Sequence, residues 1–241
     1  MEEDQVQEIT ITGNGLELQG FLGVPFGAQS LVLFAHGSGS GRYSPRNQMV
    51  ARALREQGHG TLLVDLLTVE EEQLDRHTGH LRFDIGLLAK RLMLVTEWAL
   101  HHRQTKALAI GYFGASTGAA AALIAAAMLG DRVRAVVSRG GRPDLAETYL
   151  SLVAAPTLLI VGSRDEEVLA LNEQAERAMT RAKTKLVIVP GASHLFEEPG
   201  TLSEVADLAA EWFTSYMQTP TRSSMSHHDA INKEGRGHAR E

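Results

Sequence analysis

The chain has 241 residues, 44% of them hydrophobic, enough to bury a large α/β core. Its formal net charge of −6 speaks against a nucleic-acid or anionic-membrane partner. It has no cysteine, which excludes disulfides, thiol nucleophiles and cysteine metal sites.

The opening MEEDQVQEIT is acidic, lacks the apolar segment of a signal peptide, and makes a cytoplasmic protein the expectation. Two extended segments, Val6–Thr12 and Glu17–Val24, flank Gly13-Asn14-Gly15 and predict a hairpin. The continuous apolar run Leu31–Ala35 suits a strand buried on both faces. Pro45 to Gln57 has helical spacing, with Met49, Val50, Ala53 and Leu54 as its stripe. Thr61–Leu67 is the next strand. Around Glu70-Glu71-Glu72 a solvated loop or helix face is expected. Asp84 is placed to cap a helix running to about His102. The remaining expectations are a strand at Ala107–Phe113, a helix at Ser116–Leu129, a strand at Val133–Ser138 and a short polar segment at Arg142–Leu152. They continue with a strand at Thr157–Val161, a helix at Leu169–Arg181, a strand at Leu186–Val189 and an amphipathic helix at Leu202–Tyr216. The alternation predicts an α/β fold: a mostly parallel, doubly wound sheet behind an antiparallel N-terminal hairpin. Residues 1–218 read as one domain and 219–241 as a disordered tail, whose His227, His228 and His238 read as solvated side chains rather than metal ligands. The apolar stretch at 117–129 is too short and alanine-rich to span a bilayer.

One motif carries chemistry. Gly114-Ala115-Ser116-Thr117-Gly118 follows a predicted strand and opens a predicted helix, the setting in which a strained turn presents a nucleophilic serine. A serine hydroxyl needs a base, and the base needs an orienting carboxylate. In a doubly wound sheet both should lie just past strand C-termini. The strand TLLIV runs into Gly162-Ser163-Arg164-Asp165, and LVIVP runs into Gly191-Ala192-Ser193-His194. Asp165 and His194 are therefore the candidate acid and base. The alternatives are Asp165 as a helix cap and Glu166 or Glu167 as the acid; Glu197 and Glu198 read as a solvated helix approach. After LVLFA, the loop His36-Gly37-Ser38-Gly39-Ser40-Gly41 can aim the Ser38 backbone N–H at a substrate oxyanion, with the Thr117 N–H as second donor. It lacks the Gly-Lys-Ser/Thr of a nucleotide-binding loop.

The His36-Gly37 loop, the elbow GYFGASTGAA, the GSRD segment and the GASH segment together resemble an α/β-hydrolase over about residues 6–217, in particular the dienelactone-hydrolase-like branch. Dienelactone hydrolases proper carry cysteine where this chain has Ser116. The stretches HGSGSGRYSPRN and SRGGRPDL resemble members known only as hydrolases, some fused to phosphoribosyltransferases; no phosphoribosyltransferase segment is visible here. The resemblance implies hydrolysis of small carboxylic esters or lactones without metal or cofactor. The same triad would also serve an acyltransferase or perhydrolase, and the same fold a non-catalytic binding protein.

Gly37, Arg42, Arg139 and Arg142 are the candidate substrate-binding residues, the arginines as partners for an acidic group. Only the stretch from Asp144 to Ala155 separates the Arg139 segment from Pro156, so no large cap fits there. An open, shallow pocket for short acyl chains is expected.

Overall fold

The computed structural model describes residues 6–218; the expected tail, with its three histidines, lies outside the described residues. Eight strands form one sheet in the order β1-β2-β4-β3-β5-β6-β7-β8. They are β1 (Val6–Gly13), β2 (Leu16–Gly23), β3 (Ser30–Ala35), β4 (Gly60–Val64), β5 (Ala109–Ala115), β6 (Val133–Arg139), β7 (Thr157–Gly162) and β8 (Thr184–Val189). β1 and β2 form an antiparallel hairpin, closed by Asn14 and Gly15, both at positive φ (51° and 74°). That is the twist a two-residue hairpin turn demands, and Asn-Gly supplies it with least strain. β2 joins β4 antiparallel, and every pairing from β4 to β8 is parallel.

Among the described residues six α-helices cover the sheet: α1 (Pro45–Glu56), α2 (Val69–Thr78), α3 (Ile85–His101), α4 (Thr117–Leu129), α5 (Glu166–Ala178) and α6 (Thr201–Met217). Alternation along the strands sorts the core into two layers. Leu31, Leu33 and Tyr112 face α3 and α4, whose Leu92, Val95, Ala121 and Ala125 are buried against them. Val32, Phe34, Phe113 and Val137 face α1 and α6, against Val50, Leu54, Val205 and Phe213. α4 is buried all round from Thr117 to Ala126, and its alanines at 119 to 122 let the sheet and its neighbouring elements approach it closely. Asp84 caps α3 as expected, accepting the Leu87 N–H at 2.8 Å.

Several elements differ from the sequence reading: β4 ends at Val64 rather than Leu67, α5 spans Glu166–Ala178 rather than Leu169–Arg181, and two further differences bear on the site. β5 runs to Ala115, so the strand meets the following helix with Ser116 alone at the junction. The glutamate run is not simply solvated: it opens α2, where Thr68 and Glu71 form a reciprocal capping box. Glu71 also pairs with the buried Arg91, and Asp75 is buried against Arg82 and the Leu81 N–H. Among the described residues, no helix is long and apolar enough to cross a membrane.

Candidate active site

Ser116 stands at the carboxyl end of β5 with φ 50° and ψ −124°, a conformation that costs a non-glycine residue about 1–3 kcal/mol. The surroundings hold it there. Its N–H donates to the Arg139 carbonyl at 3.2 Å, and its carbonyl accepts from the Ala119 and Arg142 N–H groups, each at 3.1 Å. The two bracketing glycines are needed for lack of room. A Cβ on Gly114 would lie 2.5 Å from Ala119 Cα, and one on Gly118 would lie 2.2 Å from the Ala35 carbonyl oxygen. Gly37 belongs to the same packing: a Cβ there would come within 3.0 Å of Ser116 Cβ.

Asp165 and His194 come together because the exit loops of β7 and β8 are laced to one another. The Ser163 N–H reaches the Val189 carbonyl at 3.0 Å, and Arg164 the Ala192 carbonyl at 3.0 Å. Ser163 Oγ in turn accepts from the Gly191 N–H at 2.8 Å. His194 Nδ1 then meets Asp165 Oδ2 at 2.6 Å. Asp165 occupies the N-cap position of α5 but makes no side-chain cap bond. The carboxylate therefore serves the imidazole, not the helix. His194 sits beside the elbow: a Cβ on Gly140, next to the carbonyl that holds Ser116, would be 3.0 Å from the His194 oxygen. Among the described residues no hydrogen bond joins His194 to Ser116.

Glu198, expected in a solvated approach, is half-buried and bonded. Its Oε2 accepts the Ser193 N–H at 3.0 Å, and Arg164 lies 3.7 Å from its other oxygen. The Ser193 N–H holds this carboxyl below its ordinary value. A local signal existed, since the glutamate follows the histidine by four residues, but the loop path that closes the contact is not encoded in spacing.

The expected oxyanion donor Ser38 is engaged: its N–H donates to Thr117 Oγ1 at 2.9 Å, so it already points at the first turn of α4. The three arginines separate. The Arg42 guanidinium is held by Asp65, by Glu8 at 3.1 Å, and between the rings of Phe21 and Tyr43, which corrects its assignment to substrate. Arg142 is also corrected: it forks onto both oxygens of Asp144, at 2.8 and 2.7 Å, and contributes only its backbone to the elbow. Among the described residues Arg139 has no such partner. It is 7% exposed, and its Nε and Nη1 are buried without a hydrogen bond.

A cavity adjoins the glycine loop; Ser116 and His194 are not among the residues that line it. It measures about 210 Å³ and lies between the loop His36–Ser40 and the segment after β4, lined by Leu67, Glu72, Asp75 and Arg82. No cap follows β6; α2 supplies the wall instead.

Residues 20–219 match the model of the dienelactone hydrolase family. The chain belongs to the dienelactone hydrolase family. A dienelactone hydrolase of known structure from Anabaena variabilis is 56% identical, covers 89% of this chain and 99% of its own, and superposes with a TM-score of 0.87. Est1E from Butyrivibrio proteoclasticus shares the fold at 19% identity, with a TM-score of 0.70 over 86% of this chain and 98% of its own. A Mycobacterium tuberculosis protein (strain H37Rv) with the provisional name phosphoribosyl transferase is 53% identical over 214 residues, which are 89% of this chain and 47% of that protein. This member of the dienelactone hydrolase family thus spans about half the length of the curated relatives it matches.

Proposed function

We propose that the protein is a serine hydrolase of small carboxylic esters or lactones. The observation that carries this reading is the 2.6 Å contact between His194 and an Asp165 that leaves its helix uncapped, both beside a strained serine. With Asp165 on Nδ1, the His194 Nε2 is the free base. It takes the Ser116 hydroxyl proton as Oγ adds to the substrate carbonyl. The oxyanion accepts hydrogen bonds from the backbone N–H groups of Thr117 and Ser38, the latter turning from Thr117 Oγ1 to the substrate. Collapse of the intermediate sends the proton from His194 to the leaving alkoxide and leaves Ser116 acylated. Water then gives its proton to His194 and its oxygen to the acyl carbon, releasing the acid and restoring the serine. Water is the only second substrate, and no cofactor enters the scheme. Small neutral or acidic esters are the expected partners; nucleic acid and membrane are not.

The name of the M. tuberculosis relatives belongs to proteins about twice as long, and its transferase activity is not carried over here. The test is hydrolysis of 4-nitrophenyl acetate, 4-nitrophenyl butyrate and small lactones by the protein and by Ser116→Ala. Turnover lost in the variant is expected; equal turnover in both would overturn the reading.

A further inference from the structure

The buried stripe of α5 consists of Val168, Asn172, Ala175 and, just past the helix, Met179. Three of these are the apolar residues that a helix lying on a sheet requires; the other is an amide with no exposed surface. Asparagine is a poor helix former, and it carries both a donor and an acceptor into the interior. Its Nδ2 donates to the Val168 carbonyl at 2.7 Å, one turn back, and to the Gly141 carbonyl at 3.0 Å. Its Oδ1 is buried with no partner among the described residues. A leucine at this position would avoid the cost of that unpaired oxygen. Packing of α5 therefore does not account for the residue, and the bond to Gly141 is what the asparagine adds.

Gly141 lies in the stretch Arg139–Arg142 that leaves β6, and this stretch holds the site together. Arg139 O accepts the Ser116 N–H at 3.2 Å, and the Arg142 N–H donates to Ser116 O at 3.1 Å. Between them Gly140 packs on His194: a Cβ there would lie 3.5 Å from Nδ1, the atom that meets Asp165. Gly141 is as tightly placed, since a Cβ would lie 2.6 Å from Ala119 Cβ in the first turn of α4. Asp165 stands at the N-cap of α5 and Asn172 about two turns further on, so both lie on the same side of the helix. The helix that starts at the acid thus reaches, through one amide, the segment that clasps the serine. We infer that Asn172 is a positioning residue: its bond to Gly141 fixes Arg139–Arg142, and with it the strained Ser116, against the helix that carries Asp165. It acts through the backbone of that segment and not on substrate. Its effect on turnover rests on the serine-hydrolase reading; its hold on the segment does not.

The test compares the full chain with Asn172→Leu, which keeps the branched shape and loses both polar atoms. Loss of the Gly141 bond and removal of the unpaired Oδ1 act on stability in opposite directions, so the melting temperature is expected to change by less than about 4 °C. In 4-nitrophenyl butyrate hydrolysis kcat is expected to fall about tenfold with KM unchanged, because small misplacements of a nucleophile cost rate rather than binding. A purely structural asparagine would instead lower the melting temperature and leave kcat, measured below the transition, as it was. Amide hydrogen exchange reads the brace itself: the Ser116 and Arg142 N–H groups should exchange faster in the variant, and those of β3 and β4 should not. Asn172→Ala repeats the test should the leucine variant not fold. If the unaltered protein turns over no ester and takes up no fluorophosphonate, the serine-hydrolase reading fails, and the brace is still decided by exchange at Ser116 and Arg142. Unchanged kcat in variants of an active protein, unchanged exchange at the two amides, or exchange that rises evenly through the chain would overturn the proposal.

Discussion

Gly118→Ala replaces one hydrogen by a methyl group, and the elbow leaves it no space. The added Cβ would lie 2.2 Å from the Ala35 oxygen, 2.5 Å from the His36 oxygen and 2.7 Å from the Ala35 carbonyl carbon. Ordinary van der Waals contact begins near 3.4 Å, so the β3 exit must retreat by roughly 1.2 Å. All three atoms are backbone, held in the sheet by the parallel register of Ala35 on Gly114. Overpacking of this kind costs about 3 kcal/mol, at the upper end of the usual range, because no side chain can rotate away. For a chain of this size that lowers the melting temperature by about 6–12 °C. The displaced residues lead directly into the loop carrying Ser38, so reactivity should fall further than stability. Differential scanning calorimetry and fluorophosphonate labelling at 25 °C, where the variant remains folded, read the two effects separately. Gly111→Ala is the control on the same strand: it meets mainly the end of Met217, Sδ at 2.5 Å and Cε at 2.8 Å, which can move. It should cost less stability and keep labelling. A Gly118→Ala protein with unaltered melting and labelling would refute this account of the elbow.

Asp165→Asn should lower kcat by about 10⁴-fold with KM little changed, since the imidazole loses its orienting charge; ester hydrolysis under saturating substrate checks this. Glu198→Ala should lower kcat about tenfold by freeing the Ser193-His194 backbone, while Glu198→Gln, whose amide oxygen can still accept the Ser193 N–H, restores most of it. His59 is fully buried between Ser30 Oγ at 2.7 Å and Thr214 Oγ1 at 3.1 Å, and burial holds its pKa below the ordinary 6.5. The unfolded chain therefore binds the extra proton first, and the stability contributed by neutral His59 is present above pH 6.5 and lost as pH falls through the folded value. His102 shifts in the same direction. Melting temperature measured between pH 7.5 and 5 should decline in the unaltered protein and less steeply in His59→Gln; parallel slopes would contradict the assignment.

The strands and the chain order serine, aspartate, histidine were legible because strands buried on both faces read as unbroken apolar runs, and because their exits collect at one edge. Gly114 and Gly118 were legible as a turn, and their close approach to Ala119 and Ala35 explains why both are needed. α2 was obscured by composition. VEEEQLDRHT has almost no apolar stripe, and its signal was the capping box begun by Thr68, which spacing to Glu71 announces. The arginines could not be sorted from sequence at all. Arg42 is neutralised by Asp65 and Glu8, which lie 23 and 34 residues away, and Arg139 differs only in what the fold fails to bring near it. Ion pairing across the fold is a property of topology, and local pattern carries no trace of it.

The central claim is that Ser116 is an activated nucleophile. Incubation with a fluorophosphonate, followed by intact mass and peptide mapping, tests it most directly. One adduct per chain is expected, on Ser116, absent from Ser116→Ala and formed more slowly by Asp165→Asn. Folded protein that takes up no adduct, or an adduct that persists in Ser116→Ala, would contradict it.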